Sequence, residues 1–239
     1  VPGAGSNMVS GVVPNPGPRA ADDLASAPFL IRRYAVSHVP SVGGFVNLRG
    51  AARTVRATRP WFGLGEFRPP TPRQASATFP SELCGDSARL FAHLPPLPGA
   101  HRELEAARMV LGAAPTDMMT GPAFTARAVR SAALGDYRML HFATHALLPS
   151  ELACQAEPAV MTSTAPDAPD ASGALLTVSQ IEQMTLDAEL VILAACNTGG
   201  GGSGAGESLS GLARGFFFAG ARALLVTHWE ANDLTTTYL

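Results

Sequence analysis

The sequence predicts an α/β protein with a mainly parallel central sheet and helices on both faces. Two observations carry this reading. Glu189 to Ala195 (ELVILAA) is apolar almost throughout, and Arg138 to Thr144 (RMLHFAT) and Arg222 to His228 are similar runs. A strand without polar alternation is covered on both sides, as parallel strands are. These runs also alternate with stretches of helical spacing, the pattern of strand–helix units.

In chain order, residues 1–26 read as a linker or disordered segment ahead of one domain over 27–239. Phe29 to Val39 reads as a strand, ended by Pro40-Ser41. Arg49, Arg53, Arg56 and Arg59 mark a solvated stretch, and Pro60 to Phe67 reads as a second strand. Pro69 to Pro98 carries so many prolines that a long surface excursion is expected. Leu104, Ala107 and Leu111 then put one apolar face on a helix over 101–111. Thr120 and Pro122 predict a helix start, with the helix running to about Ala133. Segment 156–171, rich in Ala, Pro and Asp, reads as a mobile loop. Thr177-Val-Ser-Gln180 fits a capping box. Gly199 to Gly206 is a glycine-rich loop. Glu207 to Ala219 reads as a helix with Leu209, Leu212 and Phe216 on one face.

Composition narrows the function. The formal net charge is −2 and only 15% of residues are charged, which leaves no electrostatic case for a nucleic-acid partner. No apolar run is long enough to cross a bilayer, and the first residues lack a signal-peptide pattern. The reading is a soluble, cytoplasmic protein without a membrane partner. Three cysteines, Cys84, Cys154 and Cys196, do not read as a disulfide framework, so a reducing cytosol is the simpler setting. Position 1 is not methionine and Leu239 falls in an apparently structured stretch, so a piece of a longer polypeptide is expected.

In parallel sheets, reactive groups gather beyond the carboxyl ends of the strands. His145 follows one predicted strand directly and Cys196 follows another. If these strands are neighbours, the two side chains meet at one edge. A thiolate is the nucleophile there, and a nearby imidazolium lowers the thiol pKa. The same imidazolium can protonate a leaving amine. Backbone N–H groups near the strand ends, those of Ala146 and Cys196 among them, are candidates to hold the developing oxyanion. Cys196 follows His145 by 51 residues, close to the caspase spacing, although Asn197-Thr198-Gly199 replaces the caspase pentapeptide. Taken singly, a cysteine at a strand end is more often a small core residue, and a histidine is more often structural or merely exposed.

The longer pattern is more specific. Leu140-His-Phe-Ala-Thr-His145 precedes Leu193-Ala-Ala-Cys-Asn-Thr-Gly199. Gly206-Glu-Ser-Leu-Ser-Gly-Leu-Ala-Arg214 and Ala219-Gly-Ala-Arg-Ala-Leu-Leu-Val-Thr-His-Trp229 follow. Together these motifs resemble the CHAT domain, a caspase-like family often found beside tetratricopeptide repeats. Leu97-Pro-Gly-Ala-His-Arg-Glu-Leu-Glu105 and Ala35-Val-Ser-His-Val-Pro-Ser41 look like that family's earlier segments, so the resemblance covers 27–239. It implies a caspase-like three-layer sandwich. It also implies a Cys196–His145 dyad and a protein or peptide substrate. A tetratricopeptide-repeat region of the same or another chain is the implied partner. Ala146 departs from the glycine that often follows the histidine in the family.

Gly201 to Ser208 (GGSGAGES) approaches a phosphate-binding loop, but Glu207 stands at the lysine position and would repel a phosphate. No cofactor is expected. Glu207, Glu230 and Asp233 read either as ordinary surface and helix-start acids or as a substrate-binding pocket for a basic side chain. The second reading draws on Trp229-Glu-Ala-Asn-Asp233, which looks like a stretch shared with separases. His141 and His145 lie four residues apart, about 13 Å along a strand, too far for one metal ion, so His141 reads as a core histidine. No C-x-x-C pair suggests a metal site, and Ser208 and Ser210 lack the G-x-S-x-G elbow. The sequence therefore predicts a cysteine endopeptidase. The alternatives are a catalytically silent interaction module of the same fold and a nucleotide-binding protein.

Overall fold

A computed structural model describes residues 55–80, 82–149, 154–194 and 205–226, and singly 33, 34, 42, 43, 46 and 152; over 205–210 it describes the backbone only. The chain divides into two compact units, Val1–Ala52 and Arg53–Leu239. In the first, Tyr34, Val42 and Val46 are exposed. The expected linker over 1–26 lies outside the described residues, as does most of the expected strand from Phe29 to Val39.

The second unit runs β1 (Phe62–Gly65), α1 (Pro72–Thr78), α2 (Gly85–Ala92), α3 (Ala100–Leu111), β2 (Met118–Thr120), α4 (Ala126–Ser131) and β3 (Met139–Ala143). It continues with β4 (Ala146–Leu147), β5 (Ala159–Met161), β6 (Leu175–Thr177), α5 (Val178–Glu182), β7 (Leu190–Ala194), α6 (Ala205–Ala219) and β8 (Leu224–Val226). The central sheet has the order β2-β1-β3-β7-β8, and every pairing is parallel. A small antiparallel sheet, β4-β5-β6, stands beside it.

Alternation along the strands builds the layers. Phe62, Leu64, Leu140, Phe142, Val191 and Leu193 join one core with Leu212 and Phe216 of α6. The Phe142 and Phe216 rings lie 5.6 Å apart between centroids. Trp61 and Ala143 point the other way and pack with Ala100 and Leu104 of α3. Each fully buried leucine or phenylalanine among these contributes about 1.5–3 kcal/mol. The result is the helix–sheet–helix sandwich expected, with a parallel centre. The capping box at Thr177 and Gln180 is also present.

Several local expectations are corrected. Pro69 to Pro98 is not an excursion: it folds as α1 and α2, with Ala75, Phe79, Phe91 and Leu94 buried. Pro72 sits in the first turn of α1, where its missing N–H is harmless, and Thr71 and Gln74 form a capping box there. Segment 156–171 holds β5 and the buried Thr162, Ser163 and Thr164. Their polarity suggested a loop, but Thr162 and Ser163 donate to the carbonyls of Ala174 and Gly121. Thr120 opens only the single turn Gly121–Ala123, and Thr125 caps α4 instead. Among the described residues β8 lies at the sheet edge, and Leu225 is 57% exposed rather than buried. Cys84 and Cys154 form a disulfide with Cα atoms 5.8 Å apart, where the cysteine count suggested none.

The amino end of the sheet is pinned by a polar cluster. The buried Asp117 carboxylate accepts from the Arg59 guanidinium and, at 3.0 Å, from the Tyr137 hydroxyl. Arg59 also lies over the Tyr137 ring, 4.4 Å from its centroid. Burial first, then the bond to Asp117, pushes the Tyr137 hydroxyl up to about 12 from its usual 10.0. A raised folded-state pKa favours the protonated form, so this contribution is whole below pH 10 and fades as pH rises through 12. Urea titrations between pH 9.5 and 12 should show a loss on the order of 2 kcal/mol, and Tyr137→Phe should flatten that limb. A variant with the same alkaline loss would contradict the assignment. No helix among the described residues is long and apolar enough to cross a membrane.

Candidate functional site

His145 leaves the central sheet just beyond β3. Two bonds to Met161 of β5 fix this exit. The Thr144 hydroxyl donates to the Met161 carbonyl at 2.7 Å, and the Met161 N–H donates to the His145 carbonyl at 2.8 Å. The imidazole is 2% exposed. Its Nε2 lies 2.8 Å from the Pro95 carbonyl oxygen. A carbonyl only accepts, so Nε2 carries a proton and donates. In the neutral ring the lone pair therefore resides on Nδ1.

The ring is also packed from β1. Phe67 meets it edge-on, with centroids 5.1 Å apart and planes at 81°. Glu66 makes this possible by turning the chain off β1 in a left-handed conformation, φ 54°. Its carbonyl accepts from the Gly121 N–H, and its exposed carboxylate lies 3.1 Å from His101 Nδ1. Gly65 precedes it for a steric reason. A Cβ there would stand 2.5 Å from the Ala143 carbonyl oxygen, so only glycine lets β1 lie so close to the end of β3.

β7 lies next to β3 in parallel register, Ala143 opposite Ala194. The two strands thus end at the same edge. Cys196 follows Ala194 by two residues in sequence and lies outside the described residues, as do Glu230 and Asp233. Glu207 falls in the first turn of α6, and its side chain is likewise outside them. Ala146 is described: it opens β4 opposite Val160. The Met161-to-His145 bond makes that a non-hydrogen-bonded pair, so the Ala146 N–H points away from β5.

His141 has a separate environment. Its Nε2 lies 2.7 Å from Glu103 Oε1 of α3, and Trp61 meets its ring at 80°. Both His141 and Glu103 are nearly buried. It is a core histidine, as the strand spacing predicts. Among the described residues no group of three or more His, Cys, Asp or Glu is arranged for a metal ion.

Two neighbours of His145 escaped the sequence reading. Pro95 acts through its backbone carbonyl, which no side-chain pattern can announce. Phe67 could have been suspected from its place at the end of the expected strand from Pro60 to Phe67. The sequence model of the CHAT domain matches residues 17–239. No curated protein and no solved structure gives a significant match.

Proposed function

Because the chain belongs to the CHAT domain family, whose fold is caspase-like, we propose that it is a cysteine endopeptidase with Cys196 as nucleophile and His145 as proton carrier. The observation that supports this best is the held imidazole. Its Nε2 is tied to the Pro95 carbonyl, which turns Nδ1 into the nitrogen able to take a thiol proton. The Cys196 thiolate attacks the scissile carbonyl, and the oxyanion faces the backbone N–H groups of Ala146 and Cys196. The imidazolium, its charge eased by the Pro95 carbonyl, returns the proton to the leaving amine. Water then hydrolyses the thioester with His145 as base.

Glu207, Glu230 and Asp233 make a basic side chain before the scissile bond the preferred substrate; this part rests on the sequence. A protein or peptide substrate, delivered by a tetratricopeptide-repeat region, completes the proposal. The test is a peptidyl acyloxymethyl ketone ending in arginine, followed by intact-mass and peptide mapping. One adduct on Cys196, formed faster than with an aspartate-ended probe, is the expected result. No adduct on the folded protein would leave the silent interaction module as the better reading.

A further inference from the structure

The disulfide lies on the two chain segments that hold the imidazole. Cys84 precedes α2, and α2 leads through the buried Leu94 to Pro95, whose carbonyl accepts from His145 Nε2. Cys154 closes the turn that follows His145 and β4, just past the buried Leu152. The bond spans 70 residues, and the Pro95–His145 contact spans 50 residues within it. The two links therefore join the same pair of segments, one carrying the carbonyl and the other the ring. Through the disulfide, Pro95 and His145 are connected by eleven residues on one side and nine on the other. A shorter connection makes their contact entropically easier to keep.

On the premise that Cys196 and His145 act as proposed, we infer that the Cys84–Cys154 disulfide is a positioning element for His145, and that its reduction lowers turnover. Cys154 is exposed and Cys84 half-buried, and the bond lines a cleft of about 350 Å³ with Phe79, Gln155 and Leu175. A small dithiol has access to it. The step balances: the dithiol supplies two electrons and two protons, the S–S bond breaks, Cys84 and Cys154 become thiols, and the reductant closes to its own disulfide. Cut free, the α2 end can shift against the Cys154 turn, and the Pro95 carbonyl loses its fixed distance from Nε2. The imidazole then spends less time in the orientation and tautomer that serve the thiol.

The experiment compares the wild-type chain with Cys84→Ser/Cys154→Ser. Thiol titration of the air-equilibrated protein should find one free thiol in each, and three in the wild type after dithiol treatment. Three thiols before treatment would overturn the inference whatever the activity. In the double variant, kcat should fall about fivefold to tenfold with KM within about twofold, and the histidine limb of the kcat–pH profile should move. Iodoacetamide should alkylate Cys196 correspondingly more slowly. A lowered melting temperature with unchanged kcat and pH profile would mean the bond is structural only, which also overturns the inference. Failure of the underlying dyad is separable: it would show as cleavage retained by Cys196→Ala, with the thiol counts of the wild type and the double variant still as expected.

Discussion

Cys196→Ala should abolish peptide cleavage, and His145→Ala should lower kcat by about 10³-fold or more. Alanine at 196 removes the only group able to form the thioester, so no slower version of the same route survives. At 145 the loss is that of proton transfer in both directions. The two substitutions should be strongly non-additive, because each disables one covalent unit: the double variant should be about as slow as Cys196→Ala. Folding can be checked separately. His145 is 2% exposed and packs on Phe67, so alanine there opens a small hole. The bond from the Thr144 hydroxyl to the Met161 carbonyl and that from the Met161 N–H to the His145 carbonyl do not depend on the ring. His145→Gln, nearer in volume, should therefore keep a native urea midpoint within about 1 kcal/mol and remain as inactive. Full turnover by either His145 variant would remove the residue from the mechanism.

Gly220→Ala should destabilise the protein by roughly 3–5 kcal/mol. Gly220 turns the chain from α6 into β8. Its φ is +117°, a region open almost only to glycine, and a Cβ there would lie 2.1 Å from the Leu186 carbonyl oxygen. The obstacle is backbone, held in place by the Leu186 N–H bond to Ala219 at 2.8 Å, so it cannot swing aside. Gly220 and Ala221 also close the end of α6 by donating to Phe217 and Phe216. Conformational strain and overlap add at one residue. A urea midpoint shifted accordingly at unchanged slope is the expected reading, and a shift under 1 kcal/mol would contradict it.

Much of the fold was legible in the sequence because β3 and β7 are so apolar. Met139–Ala143 and Leu190–Ala194 declare buried parallel strands without help from context. His145 was legible by position, directly after such a strand. Its partners were not. Pro95 contributes a carbonyl, and the prolines around it mimic a surface loop because their effect depends on where each falls. At Pro72 the ring starts a helix, an outcome composition cannot foretell. Thr162 and Ser163 look like loop residues because their hydroxyls find backbone acceptors only after distant segments meet. Cys84 and Cys154 misled for a related reason: a pairing across 70 residues leaves no local trace.

The pairing pattern of the sheet bears on when the edge beside His145 can form during synthesis. β1 pairs with β3, and β3 pairs with β7, each strand waiting for one that emerges much later. Such distant pairings form slowly, since the intervening chain must be closed before any contact rewards it. A nascent chain halted before Leu190 would carry His145 just beyond a strand, β3, whose second neighbour, β7, does not yet exist. Ribosome-bound intermediates thus lack the β3–β7 edge beyond which His145 stands until Leu190–Ala194 has emerged.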